Sequence, residues 1–233
     1  MRFRKLFVSA HVLALIALSS TAHGQEMIYS GFMTDYSQLE KISDGSADYR
    51  YIAPGAEEKL ARYTAVMIDQ PEIFIANDSE YRGAKPKQLG ALAEALRAGV
   101  AEAMSGDVYL VERPGKNVLY ISLAISNLKL SKKKKKALGY LPVALVVGAA
   151  KGAKTTDIAK KADFRGAVLE LEAFDSISGE RLVAIIDSRG SDRANPESWE
   201  ELEELAALYG RRLRCRFNNA SLAVERREDC LAE

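Results

Sequence analysis

"FRGAVLELEAFDSISGERLVAIIDSRG", residues 164–190, is the clearest structural signal in this chain. Leucine and glutamate alternate from Leu169 to Glu172, which is the two-residue period of a β-strand. Turn-forming residues lie between Asp175 and Gly179, and an apolar run from Leu182 to Ile186 follows them. The stretch therefore predicts a β-hairpin.

Further strands are predicted on the amino-terminal side of the hairpin. "DVYLVERPGKNVLYISLAISNLKL" (107–130) contains two strands around a Pro-Gly pair, and apolar residues alternate from Leu119 to Ile125. This alternation predicts one buried face and one face that is partly wet. "YTAVMIDQPEIFI" (63–75) predicts a long strand that is interrupted at Pro71, because proline has no N–H to donate.

Two amphipathic helices are also predicted. The first begins at Pro86, which suits an initial helical position, and its apolar face comprises Leu89, Leu92, Leu96, Val100 and Ala103. The second follows Pro196, with glutamates near its start and arginines near its end, as the helix dipole favours. Its core stripe comprises Trp199, Leu202, Leu205, Ala206, Tyr209, Leu213 and Phe217.

These elements give the order strand, helix, strand, strand, insert, strand, strand, helix. This order predicts an α+β fold, a two-layer antiparallel or mixed sheet with two main helices packed on it. The predicted divisions are a signal peptide (1–24), an irregular leader (25–62), a single α+β domain (63–224) with an insert (131–163), and a tail (225–233).

The leader is polar, contains several turn signals and shows no lasting periodicity. We expect it to have little regular structure of its own and to be wrapped on the domain by its aromatic residues, Tyr29, Phe32, Tyr36, Tyr49 and Tyr51. If the leader is mobile, Tyr29, Phe32 and Tyr36 are candidate partner contacts.

The first 24 residues have the three parts of a secretory signal: a basic start, an apolar middle and small residues before Gln25. The apolar middle is shorter than the ~20 residues that a membrane span needs. We therefore expect export to the periplasm. Both histidines, His11 and His23, lie in this signal, so the mature chain lacks the base of Ser-His-Asp and Cys-His nucleophile systems.

Charge and cysteine content restrict the function further. The signal contains three of the 33 basic residues and none of the 32 acidic ones, so 30 basic residues remain against 32 acidic ones. This balance argues against nucleic-acid binding. No phosphate loop, metal-ligand spacing or dinucleotide motif suggests a cofactor. Cys215 and Cys230 predict a disulfide that attaches the tail to the last helix, with two reduced thiols as the alternative.

The predicted insert begins with "SKKKKKALGYLPVALVVGAAKGAK" (131–154). Its 14 uncharged residues, 137–150, are too few for a simple transmembrane helix. They form either a buried element or an exposed surface for an anionic membrane, another protein or a homo-oligomer through residues 137–152. The candidate contact residues are Lys132, Lys133, Lys134, Lys135, Lys136, Leu141, Val143, Leu145, Val146 and Val147.

Several segments, in order, carry a resemblance to one family: "SGFMTDYSQL" (30–39), "IAPGA" (52–56), "YTAVMIDQPEI" (63–73), "LVERPGKNVLYISLAI" (110–125), "LELEAFDSISGERLVAIIDSRG" (169–190) and "SWEELEELAALYGRRL" (198–213). Together they resemble the bacterial Domain of Unknown Function 3313, or DUF3313, whose members are usually envelope lipoproteins. The resemblance implies no catalytic residues. Because no cysteine lies near the cleavage site, we expect a soluble periplasmic form here.

The function we expect is that of an exported, non-enzymatic envelope protein, a binding or scaffold module that acts through protein or membrane-surface contact. The alternative is a periplasmic hydrolase on a cell-wall polymer, using paired carboxylates from Asp35, Asp69, Asp175 and Asp187. The Ser-x-x-Lys pattern at 131–134 lacks the companion motifs of penicillin-binding enzymes and arises from the lysine run.

Overall fold

The computed structural model describes residues 29–44, 46–105, 108–132, 162–188, 199–220 and 222–231. The predicted signal peptide and residues 133–161 of the predicted insert lie outside these ranges. No helix within them combines the length and the apolar character that a membrane crossing requires.

Eight strands form one mixed sheet: β1 (Glu40–Lys41), β2 (Tyr49–Ile52), β3 (Ala65–Ile68), β4 (Glu72–Ile75), β5 (Tyr109–Leu110), β6 (Val118–Lys132), β7 (Ala162–Asp175) and β8 (Arg181–Asp187). Their order across the sheet is β1-β2-β8-β7-β6-β3-β5, and β4 also pairs with β6. The predicted hairpin is confirmed as β7 and β8, which run antiparallel.

The long strand β6 is the centre of the sheet. It pairs antiparallel with β7 on one side, while β3 and then β4 run parallel to it on the other. Pro71 lies between β3 and β4, so the predicted interruption of residues 63–75 is confirmed. Ser131 and Lys132 belong to β6 and Ala162 to β7, so both strands extend past the predicted limits of the insert.

Three helices accompany the sheet in the described residues: α1 (Ala56–Leu60), α2 (Pro86–Met104) and α3 (Trp199–Ala220). The apolar side chains of α2 and α3 pack with those of β6 and β7 in the main core, which includes Leu92, Leu96, Val100, Leu119, Ile121, Leu169, Leu171, Leu205 and Tyr209. The prediction of an α+β fold is therefore confirmed, and the predicted first helix begins at Pro86 as expected.

Helices α2 and α3 approach each other closely at Gly210. A Cβ at this position would lie 2.8 Å from the Cβ of Ala103 and 2.9 Å from the carbonyl oxygen of Val100. Such separations are shorter than real Cβ contacts, so glycine is what allows α3 to pack this tightly on α2.

The leader is more regular than predicted. From Glu40 on it contains β1, β2 and α1, so the expectation of little regular structure is wrong for this part. The physical reason is that Tyr49 and Tyr51 alternate with Arg50 and Ile52 in β2, and this strand pairs antiparallel with β8. The leader therefore supplies one edge of the sheet.

The earlier part of the leader covers the sheet face opposite the helices. Met33 and Leu39 are buried there against Val168, Ala184 and Ile186, and the rings of Phe32, Tyr36, Tyr49 and Tyr51 pack around this second cluster. The expected wrapping by these four aromatics is confirmed, whereas Tyr29 is 69% exposed. On the face of β6 that we expected to be partly wet, Tyr120 and Ser122 are partly exposed, whereas Ala124 and Ser126 are fully buried.

Candidate functional site

A groove lies between the helix-side face of the sheet and α3. β2, β7, β8 and α1 contribute apolar side chains to its floor and walls, and α3 forms the opposite side. The cavity within the groove is small, about 70 Å³, and it opens to solvent. Its apolar lining comprises Ile52, Leu60, Leu171, Leu182, Val183, Ile185 and Leu213. We call this feature the arginine groove, because Arg50, Arg212 and Arg216 also line it.

The sequence of α3 explains how it contributes both kinds of side chain. Tyr209, Arg212, Leu213 and Arg216 are spaced three or four residues apart, so they lie on one face of the helix. Tyr209 is buried, whereas the other three are partly buried. A single helical face therefore presents an aromatic ring, an aliphatic side chain and two guanidinium groups to the groove.

Ser46 holds α3 against the loop that precedes β2. Its carbonyl oxygen accepts hydrogen bonds from the hydroxyl of Tyr209 at 3.1 Å and from Nη1 of Arg212 at 3.0 Å. The Tyr209 hydroxyl also lies 2.5 Å from Oδ2 of the buried Asp187. The guanidinium carbon of Arg212 lies 5.6 Å from the centroid of the Tyr209 ring, a cation–π distance. These contacts position the groove's aromatic and cationic groups.

The three arginines differ in how many hydrogen bonds and ion pairs their guanidinium groups make within the protein. Arg50 donates to the hydroxyl of Ser46 at 3.0 Å, and its Nη2 lies 3.3 Å from Oδ2 of Asp44. Arg212 uses Nη1, but its Nε is buried without a hydrogen-bond partner among the described residues. The side chain of Arg216 makes no hydrogen bond and no ion pair with any residue that the structure describes.

The partly buried position of Arg216 affects the pKa of its side chain. Burial lowers the pKa of its guanidinium below the ordinary value, and the charge of Arg50 lowers this pKa further. Arg212 acts in the same direction, while the carboxylates of Glu57 and Asp44 oppose the shift. An arginine stays charged even after such a shift, so the groove contains cations that repel one another.

The carboxyl-terminal tail closes one end of the groove. Cys215 of α3 and Cys230 form a disulfide with a Cα–Cα distance of 5.6 Å, which confirms the predicted bridge. The bridge holds Leu231 where it lines the arginine groove. A second, more polar cavity continues beneath the tail and shares Arg216 with the groove.

Two buried glutamates on the opposite face of the sheet form a separate cluster. Glu170 is fully buried and accepts a hydrogen bond from the Tyr36 hydroxyl at 2.8 Å. Glu172 is 4% exposed and accepts one from Nη1 of Arg181 at 2.9 Å. Burial raises the pKa of Glu172, although Arg181 opposes this shift. Arg181 also donates to the carbonyl oxygen of Asp35 at 2.6 Å, so these charges attach the leader to the sheet.

The four predicted carboxylates do not gather at one site. Asp35 accepts hydrogen bonds from Ser37 in the leader, and Asp175 caps the turn between β7 and β8 by accepting from the amides of Ile177 and Ser178. These bonds lower the pKa of both carboxyls. Asp69 accepts from the Tyr120 hydroxyl, and Asp187 is buried on the helix-side face with Tyr209. Each of the four has a structural role.

The other predicted contact residues fall in three places. Tyr29 is exposed and packs edge-on against Tyr36, with ring centroids 5.0 Å apart. Phe32 and Tyr36 of the leader are partly buried against the sheet, and Lys132 is exposed at the end of β6. The remaining candidates lie outside the described residues: Lys133, Lys134, Lys135, Lys136, Leu141, Val143, Leu145, Val146 and Val147. Ser131 of the Ser-x-x-Lys pattern is buried and accepts from Nε of Arg165 at 2.9 Å.

Among the residues that the structure describes, no three His, Cys, Asp or Glu side chains come together in a way that could hold a metal ion. The arginine groove is therefore the feature of the described structure that best combines access, an apolar lining and unneutralised charge. Sequence reasoning missed it, although Arg212 and Arg216 directly precede Leu213 and Phe217 of the predicted core stripe.

Comparison with known proteins places the chain in a family. A family model described as a protein of unknown function, DUF3313, matches residues 28–213. The chain belongs to the DUF3313 family. The matched residues of this DUF3313 chain include Arg50 and Arg212, but not Arg216 or the disulfide-bonded tail. No curated protein matches it.

Two solved structures are distantly similar to the DUF3313 chain. The PelC dodecamer from Paraburkholderia phytofirmans has a TM-score of 0.30 and 17% identity, over 71% of this chain and 94% of that one. A homologue of the neuraminyllactose-binding hemagglutinin from Helicobacter pylori has a TM-score of 0.28 and 8% identity, over 64% of this chain and 78% of that one. The family membership is what these comparisons establish.

Proposed function

We propose that this protein is an exported, non-enzymatic binding module of the bacterial envelope and that the arginine groove is its binding site. The observation that carries this proposal is an apolar lining combined with guanidinium groups that the described protein leaves unneutralised. Ligand sites are typically concave and mostly apolar, with a few placed polar groups that determine orientation. The arginine groove has this composition.

The arrangement of carboxylates favours binding over hydrolysis. A glycosidase needs two carboxyl groups that face the same substrate across about 5–10 Å. Asp35 belongs to the leader on one face of the sheet, whereas Asp187 is buried on the other. Glu170 and Glu172 do share a face, but both are buried beneath the leader. A polymer substrate would have to displace the leader to reach them.

Two further features support an exported location. The first 24 residues have the composition of a secretory signal. The disulfide between Cys215 and Cys230 is of a kind that persists in oxidising compartments and is rare in the cytosol.

Site-specific photocrosslinking in intact cells tests this function. A photoreactive residue replaces Ile52, which lines the groove and is 41% exposed, or Ile177, which is 69% exposed at the hairpin turn and serves as the matched control. We expect an adduct with an envelope component from position 52 that disappears in Arg216→Met. Identical adducts from both positions, or a groove adduct that survives Arg216→Met, would contradict the proposal.

Incubation with purified cell-wall sacculi tests the alternative. We expect no soluble fragments from the wild-type protein. If fragments are released and their release stops in the Asp35→Asn or Asp187→Asn variant, the protein is a hydrolase and the non-enzymatic proposal fails.

A further inference from the structure

We infer that the ligand of the arginine groove is a single-chain anionic amphiphile, whose acyl chain lies on the apolar lining and whose carboxylate or phosphate headgroup binds Arg212 and Arg216. This inference rests on the proposed function, since it names the chemistry of the ligand for the same site.

The apolar lining indicates the hydrocarbon part of the ligand. Side chains from three different elements, among them Leu60 of α1, Val183 of β8 and Leu213 of α3, face this one space. They have no hydrogen-bonding groups, so a sugar or a nucleotide lying along them would lose its bonds to water without replacement. A hydrocarbon chain has no such bonds to lose and gains from its burial.

The arginines indicate the charged end of the ligand. The Nε of Arg212 is a buried donor without an acceptor in the described residues, and the guanidinium group of Arg216 has no hydrogen bond there. The two residues are four positions apart on α3, so their side chains are neighbours on the helix. A carboxylate or a phosphate offers several acceptor oxygens at once and suits the planar guanidinium group.

The acidic side chains near Arg216 pair with other arginines, although one of them, Glu57, also lines the groove. Asp44 lies 3.3 Å from Arg50, and Glu57 lies 3.7 Å from Arg227 of the tail. The pairs that these acids form leave Arg212 and Arg216 without a carboxylate partner among the described residues. An anionic headgroup would supply that partner, and a cationic one would add to the repulsion.

The position of Arg216 also orients the ligand. This residue lines both the arginine groove and the more polar cavity beneath the tail, to which Asn219 and Asp229 contribute. The carboxyl groups of Glu57, Glu228 and Asp229 also line that cavity and would repel an anion, so the headgroup stays at Arg212 and Arg216. The acyl chain extends from there along the apolar lining.

Calorimetric titration of the disulfide-intact mature chain tests this inference with four probes, each below its micelle concentration. The probes are dodecanoate, dodecyl phosphate, dodecyltrimethylammonium and inorganic phosphate. We expect the two anionic amphiphiles to bind at least about tenfold more tightly than the cation that has the same chain length, and than phosphate alone. Equal binding of anion and cation, or equal binding of phosphate and dodecyl phosphate, overturns the inference.

Variants locate the headgroup. Arg216→Met keeps much of the side-chain volume but removes the charge, and we expect it to weaken dodecyl phosphate binding roughly tenfold or more. Arg97→Met, on the exposed surface of α2, is the matched control and should leave binding unchanged. Because the Arg216 side chain makes no hydrogen bond or ion pair with the described residues, the unfolding midpoint of Arg216→Met should equal or exceed that of the wild type. Unchanged affinity in Arg216→Met contradicts the inference.

The two proposals fail in different ways. If anionic amphiphiles do not bind but the photocrosslink from position 52 still depends on Arg216, the groove remains a binding site and the ligand class is wrong. If the crosslink is also absent, the proposed function fails with it.

Discussion

The two faces of the sheet are covered by different means. On the helix side, α2 and α3 cover β6 and β7 through apolar contacts, and the cover leaves the arginine groove at one end. On the other side, residues 29–39 of the leader cover a small apolar cluster and two buried glutamates. Leu171 and Glu172 are adjacent in sequence, yet they are buried on opposite faces.

Because of this difference, we expect substitutions on the two faces of the sheet to have different effects. Apolar packing is non-directional, so the helix side can form a core and still leave open space for a ligand. A buried carboxylate needs specific partners, and the leader supplies them through Tyr36 directly and by holding Arg181 in place. The leader side therefore depends on a few charged contacts, and the helix side on shape.

The largest effect is expected where a charged contact on the leader side is broken. Arg181→Met leaves Glu172 buried without its guanidinium partner, which should lower the free energy of unfolding by about 3 kcal/mol. Urea denaturation measures this loss, and limited proteolysis should show faster cleavage within residues 29–39. Arg97→Met, which breaks the exposed pair with Glu94, is the control and should change stability by less than about 0.5 kcal/mol. Similar losses in both variants would mean that the leader is not attached by this pair.

A smaller effect is expected from a change of shape on the helix side. Gly210→Ala adds a Cβ that would lie 2.9 Å from the backbone oxygen of Val100, so the helices must separate. The expected loss is roughly 1–3 kcal/mol. Gly99→Ala on α2 is the control, because nothing lies within 4 Å of its added Cβ. It should stabilise the protein by roughly 0.5–1 kcal/mol through helix propensity. Equal stabilisation in thermal unfolding of both variants would contradict the close packing.

The smallest effect concerns pH. Burial raises the pKa of Glu172 in the folded protein, so the folded chain binds more protons than the unfolded chain above the ordinary value of 4.5. The stability that this residue contributes is fully present below pH 4.5 and is lost as pH rises through the folded pKa. Glu172→Gln removes this titration, so its stability relative to the wild type should rise with pH across this window.

The contribution of Asp175 to stability is expected to change with pH in the opposite direction. Its pKa is lowered in the fold, first by the amide of Ser178, so its contribution is present above the ordinary value of 3.8 and is lost as pH falls below it. Urea unfolding of Glu172→Gln and Asp175→Asn over a pH series should therefore give difference curves of opposite slope. Parallel curves would mean that Glu172 is not buried as described.

The local patterns of the sequence predicted much of the fold. The alternation of Leu169 to Glu172 and the spacing along α2 are local signals, and both elements formed where they were expected. β2 was missed because its four residues are too few to show the alternation of a strand clearly. Its partner β8 also lies more than a hundred residues further along the chain.

The candidate site was harder to predict because its residues are also far apart in the sequence. Arg50 comes from the leader and Arg212 from the last helix, so only the folded sheet brings them to one groove. The disulfide could be predicted because the chain contains two cysteines and its first 24 residues have the composition of a secretory signal. The family supplied no site residues.

Hydrogen exchange of residues 25–233, with and without saturating dodecyl phosphate, tests the central claim most directly. If the arginine groove on the helix side is the binding site, protection should increase in β2, in α1 and in α3 around Tyr209 to Arg216, while residues 29–39 on the leader side stay unchanged. Increased protection confined to the leader side, or no change in these three elements at saturation, would contradict the account.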